Sequence, residues 1–327
     1  MARRGKKQKG KVNLQRKKLF TRNALMIIEE MLKLSEQTEE DTTILVDEIL
    51  HSIFFLGVIN SPRCSPKDIV RDKKKLKELK TLFPNPFKFY SSQLPKRSPI
   101  SFLLDMIVHL IGQENEDKII QMLRDFISKL SRGKEGKPLI SFAIGISQKN
   151  KSPDAVRYYG VSMSTSGRIQ GKIMVAASCL SAWDSRVADA IMTYIPDKSK
   201  KPYFDGTIKL PQSVRCEVFS LSRMTKMPPC ITCGNLFGLQ TIMNERSKGA
   251  HGHCAEAESL SNLFKNEDEV KMQAQPASET CTDENRQRAK DYVLKHLKNF
   301  LKTVNFRWDN TFYMPDFYFE KSGVIDY

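Results

Sequence analysis

The sequence predicts an α/β chain in two parts, an all-helical region followed by a larger mixed α/β region. Three observations carry this. Apolar residues from about 20 to 131 recur at helical spacing. After SRGKEGKP the texture changes to short apolar runs interleaved with helical ones. The length, 327 residues with 40% hydrophobic, exceeds a typical single core and supplies enough apolar surface for two.

The chain opens on MARRGKKQKGKVNLQRKK, which holds nine basic residues and no acidic one. Like charges in a run repel, so residues 1–19 are expected to form a disordered basic arm. The helical region, 20–131, follows. Leu25, Ile28, Met31 and Leu32 mark one helical face, and Ile44, Leu45, Ile49 and Ile53 mark a second. Asp41, Thr42 and Thr43 supply a helix start for the latter. Ser65 with Pro66 is expected to open a helix that runs through DKKKLKELK. PNPFKFYSSQLPKRSP reads as a proline-rich connector. Phe102, Leu103, Met106, Ile107 and Leu110 begin another amphipathic helix, on whose apolar pattern His109 falls as a core or partly buried residue. Ile119 to Leu130 gives one more.

SRGKEGKP reads as a linker, and 132–327 as the mixed region. LISFAIGIS and VRYYGVSMS read as strands, with RIQGKIMVAASCL as a third. SRVADAIMTYI reads as a helix and SVRCEVFSL as a strand. KNEDEVKMQAQPASETCTDEN is polar and expected to be mobile. Arg286 to Leu301 is a strong amphipathic helix with Ala289, Val293, Leu297 and Phe300 on one side. VNFRW and FYMPDFYF close the chain as strands or extended segments.

Composition narrows the function classes. No apolar run approaches the roughly 20 residues of a membrane span, so no membrane association is expected and the cytoplasm or nucleus is the expected location. A formal net charge of +16 favours polyanion partners, with a solvated surface as the alternative. Seven cysteines in so long a chain are no disulfide framework. Cys64, Cys179, Cys216 and Cys281 are scattered, whereas Cys230, Cys233 and Cys254 share one short segment.

That segment carries the chemistry. In MPPCITCGNLF two prolines precede Cys230, which suits a helix start. A Cys-x-x-Cys there points both sulfurs at one helix end, where the dipole favours thiolates. In GAHGHCAEAESLSNLF a glycine-containing loop delivers Cys254 to a second helix start, with Leu260, Leu263 and Phe264 on the buried side. Three sulfurs from Cys230, Cys233 and Cys254 would bind zinc and leave one position for water, the arrangement of catalytic zinc. Glu256, two residues after Cys254, is placed to act on that water as an acid–base group. The alternatives are a closed structural site completed by His253 or His251, and a redox Cys-x-x-Cys.

Cys254-Ala255-Glu256, followed by an apolar helix, resembles the His/Cys-x-Glu motif of the cytidine deaminase superfamily, and Pro229-Cys230-x-x-Cys233 resembles its Pro-Cys-x-x-Cys motif. Here the two stand in reversed order, with 20 residues between Cys233 and Cys254. The resemblance implies a deaminase-like α/β/α sandwich, permuted or divergent, whose opening hairpin is LISFAIGIS and VRYYGVSMS. It implies zinc held by Cys230, Cys233 and Cys254, with Glu256 shuttling the proton. The implied function is zinc-dependent hydrolytic deamination of a nucleobase, in a nucleotide or in RNA or single-stranded DNA. The alternative is a catalytically inactive deaminase-like zinc protein that binds RNA or protein partners. Trp183, Tyr158 and Tyr159 could stack bases, but sheet or core packing is their default role. Asp184, Asp189 and Asp197 lack the spacing of a magnesium site.

Overall fold

Apolar residues three and four apart build the first part of the chain from helices. The computed structural model describes residues 2–131, 137–240 and 250–315, with side chains from residue 12 onward. Helix α1 runs from Ala2 to Ser35. The basic segment, expected as a disordered arm, is instead the first half of this helix. Lysine, arginine and glutamine are good helix formers, and the second half is anchored by the buried side chains of Phe20, Ala24, Ile27, Ile28, Met31 and Leu34. Lys17 also pairs with Asp68 at 2.9 Å.

Helix α2, Thr43–Val58, begins where expected, with the Asp41 carboxylate accepting from the Thr43 amide at 3.0 Å. Ser65 caps α3, Pro66–Ile69, through a capping box with Asp68. That helix does not continue into the lysine run. Val70 turns extended, and Asp72 caps a separate α4, Lys73–Leu82, by accepting from the amides of Lys74 and Lys75. The proline-rich connector contains a short helix, α5, Pro84–Phe89. Helices α6, Pro99–Ile111, and α7, Glu116–Leu130, complete the region. The expected linker lies mostly outside the described residues.

Strands β1, Ala143–Gln148, and β2, Tyr158–Val161, form the expected hairpin, with Gly145 opposite Gly160. The third run expected as a strand is instead α8, Arg168–Ser181. Short apolar runs are ambiguous in period, and here Ile173, Met174, Ala176 and Ala177 are all buried by helix packing on more than one side. Helix α9, Ser185–Met192, precedes β3, Arg215–Ser220, and the two-residue β4, Lys226–Met227. The sheet is antiparallel throughout, in the order β2-β1-β3-β4. Helices α10, Ile231–Phe237, and α11, Ala255–Asn266, follow. The polar segment expected to be mobile contains α12, Asp268–Gln273. Helix α13, Asp283–Thr303, spans the predicted amphipathic stretch and more.

Alternation along β1 gives the sheet two covered faces. Ala143, Gly145 and Ser147 face α11, where Ala143 and Val218 pack on Ala255 and the Ser147 hydroxyl donates to that of Ser259 at 2.9 Å. Ile144 and Ile146 point the other way, into the core shared with α6 and α7. The chain is therefore mixed α/β, a helical region followed by a four-stranded antiparallel sheet packed with helices. One hydrophobic cluster runs from Phe20 through both regions to Phe306. The tail after α13 returns to the helical region: the Tyr313 amide donates to the Leu94 carbonyl at 2.8 Å, and the Tyr313 ring stacks on His51 at 3.7 Å between centroids. Phe312 forms a single parallel bridge with Leu94, and residues 316–327 lie outside the described residues. Among the described residues no helix is long and apolar enough to cross a membrane.

Candidate metal centre

Two helix N-termini meet beside the sheet. Pro228 and Pro229 hold the chain extended into Cys230, which is the N-cap residue of α10. The Gly234 amide donates to the Cys230 carbonyl at 3.0 Å, closing the first turn and bringing Cys233 to the same end. Cys254 is the N-cap residue of α11. Gly252, at φ +76°, makes the turn that delivers it, a backbone conformation that favours glycine. A Cβ there would also collide with Val175.

Cys230 Sγ lies 3.6 Å from Cys233 Sγ and 3.6 Å from Cys254 Sγ. All three sulfurs fall within 4.8 Å of one another. Tetrahedral zinc with Zn–S near 2.3 Å needs sulfurs about 3.8 Å apart, so these three positions fit such an ion. No disulfide joins them. Burial is deepest at Cys233, which is 1% exposed. The Cys233 and Cys254 thiols are held well above their ordinary range, first by hydrogen bonding with Cys230 and also by burial and Glu256. A dication reverses that balance, since thiolates are its ligands and two helix dipoles already favour negative charge. The cluster can therefore hold a metal ion such as zinc.

Glu256 sits in the first turn of α11, 4% exposed. Burial raises its carboxyl to about 7, with Cys230 adding to the rise and hydrogen bonds from its own amide and from Cys233 opposing it. The carboxyl thus reaches the sulfur cluster from the same helix end that supplies Cys254. Glu258 points away. It accepts from Arg97 Nε at 2.7 Å and from the Val161 amide at 2.9 Å.

Neither histidine weighed as a fourth ligand joins the three sulfurs; among the described residues the group is cysteine alone. His251 stacks on Tyr194 at 4.4 Å. His253 packs against Gly171 of α8 and accepts, through its carbonyl, from the Met163 amide at 2.9 Å. His109 is exposed rather than core and lies 3.2 Å from Glu40. Tyr159 is a buried sheet residue, with its hydroxyl donating to the Gln113 carbonyl at 2.7 Å. Asp184 caps α9 and pairs with Lys271 at 2.7 Å. Asp189 is buried against Arg286 at 2.6 Å.

Three contributors were not singled out in the sequence. Gly145 and Gly160 let α11 approach the sheet at backbone distance, since a Cβ at either would strike the backbone of Ala255 or Ser259. Glycine inside a strand is the signal that marks such an approach. Cys216 of β3 lies across the sheet face from Ser147, and its thiol is raised to about 12 by burial and then by the charge of Glu256. Alternation along β3 would have placed it toward α11 had the helix position been known.

Comparison of the chain with family models, curated proteins and solved structures finds no match.

Proposed function

We propose that this chain is a zinc-dependent hydrolytic deaminase acting on a nucleobase, in a nucleotide or in nucleic acid. The observation that carries the reading is the placement of Glu256. It is a buried carboxyl in the first turn of α11, two residues from Cys254, with its pKa raised to about 7 chiefly by burial.

Cys230, Cys233 and Cys254 would hold the zinc, with three thiolates offsetting its charge. Bound there, zinc supplies Lewis-acid activation of water. Glu256 takes one proton from the attacking water and passes it to the ring nitrogen beside the attacked carbon, then carries the remaining hydroxyl proton to the exocyclic amino nitrogen. The C–N bond breaks, ammonia leaves, and the water oxygen becomes the carbonyl oxygen of the product base. A group whose pKa lies near the working pH serves both steps, as base and then as acid. Burial keeps bulk water from short-circuiting the transfer. The reversed chain order of the motifs does not obstruct this chemistry, which needs only two helix N-termini at one place.

The test is ammonia release by the zinc-loaded full-length protein, offered cytidine, deoxycytidine, their phosphates, adenosine, and single-stranded RNA and DNA. Release abolished by Glu256→Gln with zinc retained supports the reading. Stoichiometric zinc without release from any substrate returns the chain to the class of zinc proteins that only bind.

A further inference from the structure

Two cavities flank the start of α8, and Arg168 and His253 line both. The first, about 880 Å³, takes Arg16 from α1 and Lys137 with Phe142 from the segment entering β1. The second, about 640 Å³, takes Lys172, Lys198 and Phe300, and also Ile231 and Thr232, the residues that follow Cys230. Arg16, Lys137, Arg168, Lys172 and Lys198 enter no ion pair among the described residues. Among the described residues, no acidic side chain lines the first cavity, and Asp197 is the one acidic residue lining the second.

Each cavity also joins a lysine to an aromatic face. Lys137 Nζ is 5.8 Å from the Phe142 ring centre, and Lys172 Nζ is 5.1 Å from that of Phe300. Phe142 is 56% exposed, a large apolar ring left in solvent. Ser166, whose hydroxyl oxygen is buried with no hydrogen-bond partner among the described residues, lines the first cavity where α8 begins without a side-chain cap. Unpaired cations following one path, interleaved with aromatic faces, are what a phosphodiester backbone with unstacked bases requires. A mononucleotide would use only one of the two cavities.

We propose that this track, from α1 across the start of α8 to the cavity beside Cys230, binds single-stranded nucleic acid. It rests on the deaminase reading only in that the second cavity would present a base to the metal centre.

Fluorescence anisotropy on the zinc-loaded full-length protein tests it, with labelled 12-nucleotide uridine RNA and thymidine DNA over a salt series. Replacing Lys137, Arg168 and Lys172 together by alanine is expected to weaken binding at least tenfold at low salt. The log–log salt slope should flatten by about 2, since each lost phosphate contact removes roughly 0.7. Phe142→Ala and Phe300→Ala should each weaken binding severalfold and leave the slope unchanged. Lys74→Ala, on α4, should change neither. In the parent protein, 4-thiouridine cross-links are expected at the segments holding Phe142 or Phe300. Parental affinity and slope in the triple variant would overturn the proposal. So would equal binding of duplex or polyglutamate, competition by uridine monophosphate as effective as by the 12-mer, or cross-links confined to β3 and β4. Binding is read in the parent protein independently of turnover, so parental binding without ammonia release counts against the deaminase reading and not against the track.

Discussion

Gly160 of β2 lies so close beneath α11 that a methyl group in its place would meet the backbone nitrogen of Ser259. This contact fixes how deep the helix sits on the sheet, and the helix carries Cys254 and Glu256 at its start. Gly160→Ala should therefore push α11 outward. A loss of about 1–3 kcal/mol is expected, as for overpacking elsewhere, together with weaker zinc retention. Thermal melts and metal analysis of the same sample check both effects; unchanged zinc retention in a destabilised variant would separate the helix seat from the metal centre.

Cys230→Ser, Cys233→Ser and Cys254→Ser should each lose the one zinc expected per chain. Cys64→Ser should keep it, because Cys64 lies elsewhere and bonds with Asn60. Elemental analysis after gel filtration decides the matter. Full occupancy in the Cys254 variant would remove that residue from the centre.

Glu256→Gln should reduce turnover by about 10² to 10⁴, the usual contribution of a positioned acid–base group. The metal-free chain offers a reading independent of activity. A carboxyl raised from 4.5 to about 7 on folding stays protonated in the native state while the unfolded chain ionises. Native stability from this group therefore falls as pH rises from about 4.5 to 7, and levels off above. The glutamine variant should lack that fall, and urea titrations at pH 4.5, 6 and 7.5 would reveal it.

Glu258 is unsuitable as a neutral control for Glu256, because it anchors Arg97 and the Val161 amide. Glu258→Ala should cost about 3 kcal/mol by stranding a largely buried guanidinium, softened by the remaining pairing of Arg97 with Asp105. Zinc should still bind. Chemical denaturation with parallel metal analysis tests this pairing of outcomes.

Removing residues 1–11 takes away six basic residues. Because the buried anchors of α1 begin at Phe20, stability should be unchanged. Affinity for RNA at low salt should fall and its salt dependence should flatten. An unchanged RNA affinity would show that this charge takes no part in binding.

Several features of this protein are local and were readable from sequence alone. Prolines before Cys230 and the glycine loop before Cys254 set two helix starts, because φ restriction and capping act within a few residues. The amphipathic stretches of α2, α6, α7 and α13 and the hairpin of β1 and β2 follow from periodicity in the same way. Other features depended on what each segment packs against. The run from Arg168 to Ser181 is short and apolar enough for either period, and burial between neighbouring elements made it helix. The lysine run broke into its own helix because Asp72 found two amides to cap. The basic segment became helix by extending one whose far end is held in the core. Sequence supplied three cysteines and a glutamate. Their meeting was decided by Gly145 and Gly160, which let α11 lie on the sheet at backbone distance, and by Glu258, which Arg97 turns away from the cluster. Convergence of separate elements at one point is a long-range packing outcome, and spacing along the chain does not encode it.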